Sequence, residues 1–157
     1  EDYSTKETYQ AVMKWLSLTK YSLFGTITFR YGGQSRDSLE GISRRVKRFL
    51  GRKIKDLRIV FVFEEHRLNG TPIPSYHIHF LVESTTTPIA AFKAKLNSIS
   101  KRIRGDGLYR VCIGITDVRE IFDQKDLIDY LSKSIRQGDC SKLQIDYINS
   151  DLPMYQP

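Results

Sequence analysis

The chain has 157 residues and carries 25 Lys and Arg against 18 Asp and Glu, a formal charge of +7. That length buries one ordinary core without disulfides or a structural metal, and the charge favours a polyanionic partner, nucleic acid first. No run approaches the roughly 18 apolar residues of a membrane-spanning helix, so no membrane partner is expected. The two cysteines, Cys112 and Cys140, form no C-x-x-C pair; a disulfide framework and a thiolate zinc site are not indicated, and a reducing, intracellular compartment is expected. The chain opens at Glu1 rather than Met, which is consistent with a single domain trimmed from a longer protein.

Ser4-Thr-Lys-Glu7 has the form of a capping box, and Val12, Trp15, Leu16 and Thr19 then repeat at helical spacing, predicting a helix from about residue 5 to about residue 19. Tyr21 to Tyr31 is a predicted strand, rich in aromatic and β-branched residues, with Thr26 and Thr28 alternating with Ile27 and Phe29. Asp37 or Ser38 caps a second helix with an apolar stripe of Leu39, Ile42, Val46, Phe49 and Leu50. Arg44, Arg45, Lys47, Arg48 and Arg52 crowd its remaining surface.

Arg58 to Glu65 is a second strand, joined through the turn-forming Asn69-Gly-Thr-Pro-Ile-Pro74 to a third, Ser75 to Glu83, as a long hairpin. Thr87-Pro88 opens a helix sustained by Ile89, Phe92, Leu96, Ile99 and Ile103, with Lys93, Lys95, Lys101 and Arg102 on its outer side. Tyr109 to Val118 is a fourth strand, and Asp123 caps a last helix to about Gln137 with Leu127, Leu131 and Ile135 inward. The tail from Ser141 is a short strand or a docked extension. This order gives an α+β domain, a ferredoxin-like antiparallel sheet of four or five strands packed by helices.

His77-Ile-His79 carries the chemistry. A strand repeats every two residues, so both imidazoles share one face while Ile78, Phe80 and Val82 share the other. The preceding strand ends Phe63-Glu64-Glu65-His66, bringing a carboxylate near the imidazoles across the hairpin. Only one of Glu64 and Glu65 points inward, and periodicity leaves the choice open. Two imidazoles and a carboxylate suit Mn²⁺ or Mg²⁺ in the presence of phosphate, with Zn²⁺ a chemical alternative. On the last helix Tyr130 and Lys133 are three apart and share a face, so a phenol nucleophile would have an ammonium beside it. Arg44, Arg45, Arg48, Lys93 and Lys101 are candidate phosphate contacts. His66, Thr26 and Thr28 read as surface and sheet residues.

These motifs resemble the HUH endonuclease superfamily, in its branch of single-tyrosine rolling-circle replication initiators and viral or plasmid Rep nicking domains. His77-Ile78-His79 is similar to the His-hydrophobic-His signature, Tyr130-Leu-Ser-Lys133 to the Tyr-x-x-Lys motif, and Phe24-Gly-Thr-Ile-Thr-Phe29 stands in the place of the first motif. The likeness spans about Tyr21 to Gln137. It implies nicking and joining of single-stranded DNA through a 5′-phosphotyrosine, with Tyr130 as nucleophile and Lys133 as its accessory. It also implies a divalent metal on His77, His79 and one of Glu64 and Glu65, and origin or hairpin DNA and a helicase or other replication machinery as partners. A eukaryotic viral member would work in the host nucleus. Transposases and relaxases of the superfamily are an alternative, and so is a non-catalytic ferredoxin-like nucleic-acid binding module, which would carry aromatics where His77 and His79 stand.

Overall fold

Alternating and continuous apolar runs on neighbouring strands require a sheet covered on both faces, and the computed structural model has that arrangement. It describes residues 7, 10–11, 13–14, 16–29, 36–66, 75–83, 88–103, 113–131 and 143–151. The elements run β1 (Tyr21–Phe29), α1 (Arg36–Lys53), β2 (Ile59–His66), β3 (Ser75–Glu83), α2 (Ile89–Ile103), β4 (Ile113–Glu120), α3 (Gln124–Leu131) and β5 (Leu143–Ile145). The strands form one antiparallel sheet in the order β4-β1-β3-β2-β5. Strands β1 to β4 with α1 and α2 make the βαββαβ ferredoxin-like unit, to which the three-residue β5 adds an edge.

One face is the larger core. Ile59, Phe61 and Phe63 of β2 and Ile78, Phe80 and Val82 of β3 meet Leu39, Ile42, Val46 and Leu50 of α1 and Phe92 and Leu96 of α2. The other face packs Val60, Val62, Leu81 and Ile145 against Ile128 and Leu131 of α3 and against Met13 and Leu16. Met13 and Leu16 belong to the N-terminal helical segment, of which Glu7, Gln10, Ala11, Met13, Lys14 and Leu16 are described. Strand β2 is buried on both faces, which explains its unbroken apolar run from Ile59 to Phe63. The pairing of Tyr21 with Glu83 and Leu23 with Val82 sets two β1 steps against one of β3. This bulge turns Tyr21 to the second core while Leu23 faces the first.

Gly25 faces Phe80 across the β1–β3 pair, and a Cβ at Gly25 would overlap the Phe80 ring. The missing side chain lets that ring lie over β1, within range of Phe61 and Phe92 at centroid distances of 6.4 and 6.0 Å.

The tail is both a strand and a clasp. Beyond β5, Asp146 N–H donates to Phe61 O at 3.0 Å and Asp151 N–H to Ile59 O at 2.8 Å, while Ser150 Oγ and Asp151 Oδ2 accept from Phe61 N–H and Ile59 N–H. These bonds satisfy the outer edge of β2, which would otherwise offer a row of unpaired groups. Buried Asp146 ties the turn by accepting from the Ile148 and Asn149 N–H groups and from Asn149 Nδ2.

Boundaries moved by small amounts. Helix α1 begins at Arg36, ahead of the expected cap at Asp37 or Ser38. The expected Asp123 cap is present, accepting from Asp126 N–H at 3.1 Å. Of the expected inward stripe of α3, Leu131 is buried in the second core and half-buried Leu127 packs against it, with Ile128, which the expected stripe left out, buried beside them. Its continuation through Ile135 to Gln137 lies outside the described residues, as do Tyr31, Cys112 and Cys140. Among the described residues no helix is long and apolar enough to cross a membrane.

Gly25→Ala is expected to destabilise the fold by about 1–3 kcal/mol, because the added methyl must displace Phe80 from a filled core; equilibrium urea denaturation measures it, and an unchanged midpoint would mean the ring has room to move.

Candidate active site

The pairing register decides which side chains meet. Glu64 faces His77 across β2–β3, Val62 faces His79, and His79 in turn faces Thr26 across β1–β3. Glu64, His77, His79 and Thr26 therefore share the face opposite the α1 and α2 layer. His79 Nε2 lies 2.8 Å from Glu64 Oε2, with both residues buried. On the ring's other side Nδ1 lies 3.0 Å from Thr26 Oγ1. Phe24 stacks on the same imidazole with centroids 5.4 Å apart and planes 19° apart, and His77 meets it edge-on at 6.2 Å.

The choice between the two glutamates is thereby resolved in geometry. Glu65 pairs with Tyr76 on the opposite face, beside a tyrosine that packs on the larger core. It is the wrong neighbour for the imidazoles; Glu64 is the carboxylate that reaches them.

A cleft of about 540 Å³ opens over this face, lined by Phe24, Thr26, His77, His79, Asp117, Arg119, Glu120, Ile121, Phe122, Asp123, Leu127 and Tyr130. Tyr130 reaches it from α3 and is 48% exposed, so its phenol is open to a substrate in the same cleft as the two imidazoles. Leu127, one helical turn earlier, lines it too. Gln124 holds the start of α3 in place, accepting from Tyr21 N–H at 2.7 Å and donating to Thr19 O at 2.6 Å. Lys133 lies outside the described residues, as do the side chains of Lys101 and His66.

Charge is distributed unevenly. Among the described residues the cleft lining carries Asp117, Glu120 and Asp123 against Arg119, and Arg119 is engaged by Asp117 at 2.6 Å. The basic candidates sit elsewhere: Arg44, Arg45 and Arg48 are exposed on α1 and Lys93 on α2. Both helices pack on the far face of the sheet, so these cations are separated from the cleft by the sheet itself.

The donor set fits a divalent ion in its chemistry. Two ligands about 2.1 Å from one octahedral ion stand about 3 Å apart, close to the His79–Glu64 separation, and the Thr26 contact on Nδ1 is the kind of outer partner that metal-bound histidines keep. Among the described residues no three His, Cys, Asp or Glu side chains converge as an ion site, so His77 has to turn toward the His79–Glu64 pair for all three to share one ion.

Thr26, Phe24, Asp117, Arg119 and Phe122 are site residues that sequence reasoning passed over. Alternation in β1 placed Thr26 on a polar face, but its partner depends on a register that no local pattern reveals. No family model matches the chain, and no curated protein matches it. Among solved structures the chain is similar to the crystal structure of the hypothetical protein ORF119 from Sulfolobus islandicus rod-shaped virus 1, at 14% identity over 94% of this chain and 99% of that one, with a TM-score of 0.44.

Glu64→Leu leaves His79 Nε2 buried without its partner and is expected to cost about 1–3 kcal/mol of stability, against less than about 1 for Glu65→Leu on the half-buried far face; chemical denaturation of the two variants side by side tests the assignment, which equal losses would contradict.

Proposed function

We propose that the protein is a divalent-metal-dependent enzyme of the HUH type that nicks and rejoins single-stranded DNA through Tyr130, in the manner of a rolling-circle replication initiator. The observation that carries this reading is one cleft lined by His77, His79 and Tyr130, with buried Glu64 hydrogen-bonded to His79. A divalent ion on His77, His79 and Glu64, Mn²⁺ or Mg²⁺ by the hardness of the set, would supply the positive charge that polarises the scissile phosphate.

The chain's own residues do the rest. Tyr130 Oη gives up its proton to solvent and attacks phosphorus as the P–O3′ bond breaks; the departing oxygen takes up one proton from solvent to become a free 3′-hydroxyl, and the 5′-phosphate stays on the tyrosine. Attack by a 3′-hydroxyl reverses the step and rejoins a strand. Lys133 is assigned the accessory role from the Tyr-x-x-Lys motif, steadying charge on the phosphate. Half-buried Leu127 and the stacked Phe24 make the cleft walls partly apolar, which suits an unpaired nucleotide.

The acidic lining favours this reading over a binding-only module. Among the described residues, three carboxylates against one guanidinium make a poor cradle for a bare phosphodiester, since like charges repel strongly in a recess. A bound cation inverts that local field, so the lining makes sense where DNA enters together with metal. Sequence-independent affinity would come instead from Arg44, Arg45, Arg48 and Lys93 on the helical layer, engaging origin or hairpin duplex beyond the nicked strand.

Incubation with a labelled, randomised single-stranded DNA pool and Mn²⁺ is expected to give a denaturant-resistant protein–DNA adduct that is lost with EDTA and in Tyr130→Phe. Persistent binding with no adduct, or an adduct that survives in Tyr130→Phe, would overturn the assignment. Replacing Arg44 and Arg48 together by Gln is expected to lower duplex affinity and to flatten the slope of log K against log salt by about 2, roughly 0.9 per lost phosphate contact; filter binding across a salt series measures it.

A further inference from the structure

Both nitrogens of His79 are spoken for, and the two partners differ in what they can do. Glu64 contacts Nε2 and Thr26 contacts Nδ1, at 2.8 and 3.0 Å. An ionised carboxylate only accepts hydrogen bonds, whereas a hydroxyl donates or accepts by rotating its hydrogen. A neutral imidazole has one N–H to place. With Glu64 ionised, the ring neutral and no metal bound, that hydrogen belongs on Nε2, where Glu64 accepts it, and the Nδ1 lone pair then takes its hydrogen bond from the Thr26 hydroxyl.

We propose that Thr26 is the positioning residue of this site: its hydroxyl turns from donor to acceptor and so allows His79 to exchange tautomers when a divalent ion takes the place of the proton on Nε2. This rests on the metal reading above. An ion at Nε2 requires the lone pair there, so the imidazole hydrogen must move to Nδ1. One proton leaves Nε2 and one binds Nδ1; the ring stays neutral and the exchange releases no net proton. The new Nδ1–H is buried and needs an acceptor, which a rotated Thr26 hydroxyl provides without any movement of heavy atoms.

The placement suits that role. Thr26 is held by β1, directly opposite His79 in the sheet and at the same register position as Asp117 on its other side. Phe24, two residues before it on the same face, stacks on the ring, so one strand grips the imidazole by its plane and by its far nitrogen. Gly25 between them gives way to Phe80 on the other face. A valine at position 26 would keep the shape and lose both hydrogen-bonding modes; a serine would keep both.

The test uses the whole chain at pH 8 with histidine nitrogens observed by long-range ¹H–¹⁵N correlation. Metal-free wild type is expected to hold His79 with its hydrogen on Nε2, and saturation with diamagnetic Zn²⁺ to move it to Nδ1. Mn²⁺ affinity, measured by electron paramagnetic resonance, is expected to fall about 10–100-fold in Thr26→Val, the range seen when an outer partner of a metal-bound histidine is removed, and to stay within about threefold of wild type in Thr26→Ser. Thermal melts of both variants confirm that they are folded. A His79 tautomer unchanged by Zn²⁺, or a Thr26→Val that binds Mn²⁺ as tightly as wild type, would overturn the role given to Thr26 while leaving the metal reading intact. A wild type that binds neither ion would instead remove the metal reading itself, and this proposal with it.

Discussion

The register of three antiparallel strands, β1 on β3 on β2, is the constraint on which the site depends. Thr26, His79 and Val62 lie in one row across these strands, with Glu64 and His77 in the adjacent row. A slip of one residue would carry every side chain to the other face and drive both imidazoles into the apolar layer beneath α1 and α2. The core resists that slip from both sides. Ile78, Phe80 and Val82 are buried in one cluster and Leu81 in the other, so a shifted β3 would take three large side chains out of the larger core and put two imidazoles into it. The fit of Phe80 over Gly25 acts as a local key: a register that set any other β1 residue beneath that ring would add a Cβ where none is tolerated.

The same two-faced sheet separates two tasks that the composition alone merges into one number. A formal charge of +7 describes the chain as a polyanion binder, yet the cleft is lined by more acid than base and the exposed arginines of α1 stand behind the sheet. The exposed arginines and the cleft thus lie on opposite faces of the sheet. Under the proposed metal-dependent reaction, a cleft rich in cations would hold phosphate without metal and would hold product just as tightly, whereas an acidic one would make binding conditional on a divalent ion, favouring interaction with the reacting group over uniform binding.

Much of the fold was legible because it rests on periodicity. The parity of His77 and His79 against Ile78, Phe80 and Val82, the stripe of α1, the hairpin and the Asp123 cap all follow from local pattern. What escaped was non-local. The choice of Glu64 over Glu65 turns on how β2 pairs with β3, and counting through a loop cannot supply that. Thr26 read as an ordinary sheet residue because its partner lies 53 positions away. The clasp of Asp146, Asn149 and Asp151 gave no periodic signal, since its side chains bond to backbone groups of β2, of α1 and of their own turn. Ile128 was left out of the inward stripe on spacing alone, although it is buried beside Leu131 with Leu127 packed against the same core.

The position of Tyr130 is set by tertiary contacts of helix α3, which hold it along Gln124–Leu131. Two do so at separate points: Gln124 bridges Thr19 and Tyr21 at the entrance to β1, and Ile128 and Leu131 bury in the second core with Val60, Val62 and Leu81. The phenol projects from the turn between those buried residues, on the edge that the cleft cuts open. Because Gln124 ties α3 to the beginning of the same strand that carries Phe24 and Thr26, helix and imidazole share one support, and motion of β1 would carry both together. Tyr130 and the histidine pair are thus referenced to a single strand, although more than fifty residues of chain separate them.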